Sequence, residues 1–189
     1  MTPLCELSRK YGTDKGGEHI PYGDPNHCCH NYTPIYYDLF KARRDDTLTL
    51  LEIGVSEGKS IHMWREFFPL AAIYGWDLRI DRFEGAPPPS VHLRCVDQSN
   101  ADSLYEALME IGNPRFDIII DDGSHIYEHQ VTALGVLLPF LKPDGIYVVE
   151  DHTEPQRMIP DSILPTGWTN TVHTDTDWRN VLQVIRRAS

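Results

Sequence analysis

Phe116-Asp117-Ile118-Ile119-Ile120-Asp121-Asp122-Gly123-Ser124-His125 is an apolar run that stops at two acids, a glycine, a serine and a histidine. A second run, Ile146-Tyr147-Val148-Val149, stops in the same way at Glu150-Asp151-His152. Short, nearly continuous apolar runs read as strands buried on both faces, the signature of a parallel sheet. Open α/β sheets place their chemistry at the carboxyl ends of such strands. If these two are neighbours, their acids face each other about 5 Å apart. Oxygen ligands at that spacing suit a hard divalent cation such as Mg²⁺ better than zinc, with His125 beside it as a base.

The alternation extends outward from these runs. Leu48–Val55 reads as a strand, Ser60–Phe68 as a helix that begins at a serine and stops before Pro69, and Ala71–Trp76 as a strand closed by Asp77. Val91–Val96 is a third strand, closed by Asp97, and three consecutive prolines before it leave little room for a crossover helix. Ala101–Ile111 and Tyr127–Leu141 read as helices, the second followed by a turn at Lys142-Pro143-Asp144-Gly145. Trp168–His173 and Val181–Arg186 read as a terminal hairpin around Asp175–Asp177. Together they predict a doubly wound, Rossmann-like α/β sheet, mostly parallel, with an antiparallel C-terminal hairpin. Residues 1–33, polar and glycine-rich, are expected to form an N-terminal arm or lid on a single domain over 34–189.

Composition bounds the function. The 189 residues carry a net charge of −11, which argues against nucleic acid and against an anionic membrane surface as partners. No apolar stretch is long enough to span a bilayer, and the first residues hold no apolar signal core, so a cytoplasmic protein is expected. Cys28 and Cys29 lie between His27 and His30, but no C-x-x-C spacing or second ligand pair accompanies them. Free thiols in a reducing compartment fit better than a zinc cluster.

Gly54 and Gly58 let the chain turn tightly between the first strand and its helix, where a ligand meets the helix N-terminus. The spacing is G-x-x-x-G with Glu52 two residues ahead, not the G-x-G-x-x-G of dinucleotide sites. It is typical of S-adenosylmethionine sites, although any tight strand–helix turn uses such glycines. Asp77 is placed to bind ribose hydroxyls, or to cap a turn. Asp97-Gln98 is placed to read an adenine amino group, or only to turn the chain. Asp121 and Asp122 are consecutive on a strand, so one can face a cofactor and the other a substrate. Acids ahead of Tyr127 also cap helices.

The ordered set Tyr11-Gly12-Thr13-Asp14-Lys15-Gly16, His30-Asn31-Tyr32-Thr33, Leu51-Glu52-Ile53-Gly54-Val55, Asp97-Gln98-Ser99, Asp121-Asp122-Gly123-Ser124-His125 and Val149-Glu150-Asp151 resembles the metal-dependent class I methyltransferases of antibiotic and glycan tailoring, the mycinamicin-type sugar O-methyltransferases. The resemblance implies S-adenosyl-L-methionine bound by Glu52, Gly54, Asp77, Asp97, Gln98 and Asp121, with Gly58 in the same loop. It implies Mg²⁺ held by Asp122, Glu150 and Asp151, His125 as general base, and the N-terminal arm close to the site. Lys59 departs from the family, which often has a glycine there. The implied acceptor is a hydroxyl of a sugar or glycoside, with homo-oligomerisation left open. The alternatives are a nicotinamide-dependent oxidoreductase, a non-catalytic subunit that keeps the fold, and a relative with hydroxylase chemistry.

Overall fold

Five strands run parallel: β1 (Thr49–Ile53), β2 (Ala72–Asp77), β3 (Val91–Cys95), β4 (Phe116–Asp121) and β5 (Leu141–Glu150). Two more, β6 (Trp168–Thr174) and β7 (Val181–Arg187), are antiparallel. The order across the sheet is β3-β2-β1-β4-β5-β7-β6. A computed structural model provides this view and describes residues 1–16, 30–152, 157–174 and 181–188. The expected zinc or thiol pair Cys28-Cys29 and the Asp175–Asp177 turn lie outside the described residues; Cys5 and Cys95 are free thiols.

Alternate residues along the strands feed two cores, as a pleated sheet requires. Leu50, Ile118, Ile120, Val148 and Val184 pack under α1 (Pro3–Tyr11), α2 (Thr33–Phe40) and α3 (Lys59–Phe67). The expected core residues Trp64, Phe67 and Phe68 are completely buried there. Leu51, Ile53, Ile119, Tyr147, Val149 and Ile185 pack on the opposite face under α4 (Ala101–Glu110) and α5 (Tyr127–Leu137). Local chemistry sets the helix ends. Thr2 Oγ1 accepts the Cys5 amide at 3.2 Å and caps α1, and Asn100 Oδ1 accepts the Asp102 amide at 2.9 Å and caps α4.

Two expected boundaries are corrected. The helix read as Tyr127–Leu141 ends at Leu137, and a 3₁₀ turn over Leu138–Phe140 follows. Pro139 has no amide proton to continue the α-helical ladder. The turn read at Lys142–Gly145 lies inside β5. Phe116 pairs with Leu141 and Ile118 pairs with Ile146, so residues 142–145 bulge opposite Asp117 alone. The bulge lets Lys142 Nζ reach Asp117 Oδ2 at 2.7 Å.

The chain leaves β1 toward β2 and β3, then returns to β4 on the other side of β1. The sheet order reverses between β1 and β4, the position where open α/β sheets bind ligands. Asp121 is in register with Ile53 on one side and Val149 on the other. The expectation that the two acidic strand ends are neighbours is therefore met. No helix among the described residues is long and apolar enough to cross a membrane.

Candidate active site at the carboxyl edge of the sheet

The turn after β1 and the turn after β4 touch. A Cβ added to Gly54 would lie 1.8 Å from the carbonyl oxygen of Asp122, and Gly54 has φ +87°. Only glycine, which has no Cβ, satisfies both conditions. Gly58 meets the same two conditions, with φ +89° and a Cβ that would lie 2.3 Å from the ring of Phe83. Asp77 holds the β1–α3 turn from the next strand. Its Oδ2 accepts the Ser56 amide at 2.8 Å and its Oδ1 the Arg79 amide at 2.7 Å.

These turns border a cavity of about 730 Å³. Gly54, Asp77, Asp122 and His125 line it, and the arm residues Gly12–Lys15 cover one side. The other sequence-derived cofactor residues do not line it. Gln98 and Asp121 are buried beneath the β4 turn, where Gln98 Nε2 donates to Asp121 Oδ1 at 2.5 Å and Gln98 Oε1 accepts the Ser124 amide at 3.0 Å. Burial pushes the Asp121 carboxyl up to about 7, against the hydrogen bonds from the Gly123 amide and Gln98. Asp97 turns its Oδ1 to the hydroxyl and amide of Ser99, at 2.6 and 2.9 Å, and these bonds hold its carboxyl below the usual range.

An acid cluster closes the far end of the cavity, and a lysine sits inside it. Lys15, its side chain 1 % exposed, donates its ammonium to Asp122 Oδ2 and to Glu150 Oε1 (2.8 Å), and lies 3.5 Å from Glu52 Oε1. Tyr36 OH donates to Glu150 Oε1 at 2.5 Å. Tyr32 OH donates to Asp151 Oδ1, and His30 Nδ1 lies 3.5 Å from the same oxygen. Glu52 accepts the Ser60 hydroxyl at 2.9 Å; burial raises its carboxyl to about 7 although Lys15 pulls the other way. Gln130 Nε2 donates to the carbonyls of Glu150 (3.3 Å) and Asp151 (2.9 Å), fixing the end of β5 from α5. His125 and Asp151 adopt left-handed backbone, with φ of 58° and 54°. Strain of this kind costs on the order of 1–3 kcal/mol and concentrates at functional sites.

Asp122, His125 and Asp151 each present a ligand atom within 4.8 Å of the others. His125 Nε2 stands 4.0 Å from Asp122 Oδ1, and its buried Nδ1 has no hydrogen-bond partner among the described residues. The two carboxylates fit a hard divalent ion, and the imidazole stands beside them where a base is needed. Glu150, read as the third metal acid, stands beside this group but has its Oε1 taken by Lys15 and Tyr36. His152 is buried outside the group, and burial lowers its imidazole to about 4. Strand-end patterning located the acids and His125. Lys15 and Tyr32 entered only through the resemblance, and Tyr36 was missed. Its one available signal is that a tyrosine in a core must still find a partner for its hydroxyl.

Comparison with known proteins bears directly on this geometry. The family described as "Methyltransferase domain" matches residues 51–152. The 8-demethyl-8-alpha-L-rhamnosyl tetracenomycin-C 2'-O-methyltransferase of Streptomyces olivaceus is 39% identical over 155 residues, covering 78% of this chain and 37% of its own length. The Mycinamicin VI 2''-O-methyltransferase of Micromonospora griseorubida is 36% identical over 157 residues, covering 78% of this chain and 35% of its own. This chain thus spans little more than a third of those relatives. Among solved structures, the MycE methyltransferase from the mycinamycin biosynthetic pathway, in complex with Mg and SAH, superposes with a TM-score of 0.72 at 26% identity, over 99% of this chain and 55% of its own.

Proposed function

The chain belongs to the methyltransferase domain family, and we propose that it is an S-adenosylmethionine-dependent O-methyltransferase that acts with Mg²⁺ on a hydroxyl of a sugar or glycosylated small molecule. The observation that carries this reading is the meeting of Asp122, His125 and Asp151 beside the cavity lined by the Gly54 turn. The names of the relatives support the acceptor class, since they are methyltransferases of rhamnosyl and macrolide sugars. Mg and SAH in MycE support the two cofactors.

Asp122 and Asp151 would hold the cation, with Glu150 behind them. Gly54 and Asp77 would receive the methionyl and ribose portions of the cofactor, while Glu52, Gln98 and Asp121 fix the turns that shape its cavity. When bound, the cation lowers the pKa of a sugar hydroxyl, and the cofactor's sulfonium supplies the methyl group. His125 would take the hydroxyl proton while the hydroxyl oxygen accepts the methyl group that the sulfonium supplies. The products are a methyl ether and S-adenosylhomocysteine. Such a base contributes about 10²- to 10⁴-fold. The rest comes from holding oxygen, methyl and sulfur in line. The cavity belongs to a chain with an excess of acids, so a neutral small molecule suits it better than nucleic acid. A biosynthetic enzyme of this kind would work in the cytoplasm.

The test has two parts. Calorimetric titration with S-adenosylhomocysteine should give a saturable site, and NAD⁺ should not; the reverse result would make the chain an oxidoreductase. His125→Ala should retain S-adenosylhomocysteine binding while turnover on a rhamnosyl acceptor falls by about 10²-fold or more. Unchanged turnover would remove His125 from the reaction.

A further inference from the structure

The two carboxylates that would grip the cation are themselves gripped by the N-terminal arm. Lys15 takes one oxygen of Asp122, its Oδ2. The other, Oδ1, faces His125 Nε2 at 4.0 Å and accepts no hydrogen bond among the described residues. Tyr32 takes Oδ1 of Asp151, with His30 beside it, and no hydrogen bond among the described residues takes Oδ2. Each acid therefore has one oxygen engaged by the arm and one that takes no hydrogen bond among the described residues.

The arm presents these groups as a unit. The His30 amide donates to the Asp14 carbonyl at 2.9 Å, the Asn31 amide to Gly16 at 3.1 Å, and the Tyr32 amide to Lys15 at 2.9 Å. Residues 13–16 and 30–32 thus form a paired clasp, and the side chains of Lys15 and Tyr32 descend from it into the buried end of the site. Charge follows the same division. The Lys15 ammonium sits among Glu52, Glu150 and Asp122, offsetting the buried pair Glu52 and Glu150 and one oxygen of Asp122. Outer partners that orient ligating carboxylates are worth about 10- to 100-fold in metal affinity.

We propose that Lys15 and Tyr32 are positioning residues for the divalent cation, and that docking of the N-terminal arm and occupancy of the cation site are thermodynamically coupled. The inference rests on the proposed metal-dependent function and goes beyond it, because it assigns the arm a role in metal binding itself. Coupling is reciprocal: if the docked arm strengthens cation binding, the cation must stabilise the docked arm.

The experiment uses Mn²⁺ as a spectroscopic substitute for Mg²⁺ and the whole chain, without acceptor. Free Mn²⁺ is counted by electron paramagnetic resonance for wild type and Tyr32→Phe. That substitution keeps the ring in the core and removes the hydroxyl from Asp151. In parallel, hydrogen exchange of residues 13–16 and 30–32 is followed in wild type with and without Mn²⁺. The expected result is a 10- to 100-fold weaker Mn²⁺ affinity for Tyr32→Phe and slower arm exchange in wild type when Mn²⁺ is present. A Tyr32 that only anchors the arm would lower the melting temperature and leave Mn²⁺ affinity unchanged, which would overturn the inference. Arm exchange indifferent to Mn²⁺ would overturn it as well, and that arm of the test needs no variant to fold. Wild type that binds no Mn²⁺ would instead sink the metal-dependent function.

Discussion

Glu52 shows at a single side chain how the site stores charge. It is completely buried at the end of β1, bonded to Ser60 and 3.5 Å from the Lys15 ammonium, and burial still raises its carboxyl from the ordinary 4.5 to about 7. An acid whose folded pKa exceeds its unfolded one binds more protons in the folded state. Its contribution to stability is complete below about 4.5 and is lost as pH rises through about 7. Asp121, raised from 3.8 to about 7, works in the same direction. Denaturant unfolding of the metal-free protein should therefore show stability declining between pH 5 and 8, and Glu52→Gln should flatten part of that slope. A slope identical in the variant would mean that Glu52 is not the group responsible. Residue by residue, the acids and His125 were legible because they interrupt apolar runs. Lys15 was not, because nothing in Gly12-Thr13-Asp14-Lys15-Gly16 distinguishes a lysine bound for a core from one in solvent. Its burial depends on three acids at remote positions, 52, 122 and 150.

The turns at the carboxyl edge are the elements that convert a sheet into a site. The β1–α3 turn fits against the β4–α5 turn only because Gly54 has no side chain. Gly54→Ala would force its Cβ toward a backbone carbonyl 1.8 Å away while holding φ at +87°. It should cost about 1–3 kcal/mol of stability and weaken S-adenosylhomocysteine binding by at least about tenfold, since 1.4 kcal/mol corresponds to a factor of ten. Calorimetry checks the second effect; unaltered affinity would separate this turn from the cofactor. The glycine turn and the strand ends were readable from pattern. The β5 bulge was not, since Lys142-Pro143-Asp144-Gly145 has the composition of a turn and only its pairing with β4 reveals a strand. Gln98 was read as a ligand contact; what the geometry adds is that both ends of its amide hold the β4 turn in place.

Across the whole molecule, strand–helix alternation made the doubly wound class legible before any contact was known, while the order β3-β2-β1-β4-β5 comes from the strand pairing itself. The hairpin was legible as an antiparallel element at one edge, but not which of its strands joins the sheet: β7 lies directly beside β5, and β6 takes the edge. That placement reaches the site, because the Val181 carbonyl accepts the Asp151 amide at 2.8 Å and the Tyr32 hydroxyl at 3.2 Å. A chain stopped after Asp151 should lose its cooperative thermal transition and aggregate through the uncovered β5 edge; a sharp transition retained in circular dichroism would show the hairpin to be dispensable. The proposed function requires one assembled edge, with the cofactor beside Gly54, the cation on Asp122 and Asp151, and the proton passing to His125. Its most direct test is the mass of a rhamnosyl acceptor after incubation with methyl-labelled S-adenosylmethionine, with Mg²⁺, with a chelator, and with Mg²⁺ restored. The expected outcome is one labelled methyl ether that disappears under chelation and returns with the metal. Equal labelling in the chelator would rule out the metal-dependent reaction, for the acids at the ends of β4 and β5 would then be holding no cation that the reaction needs.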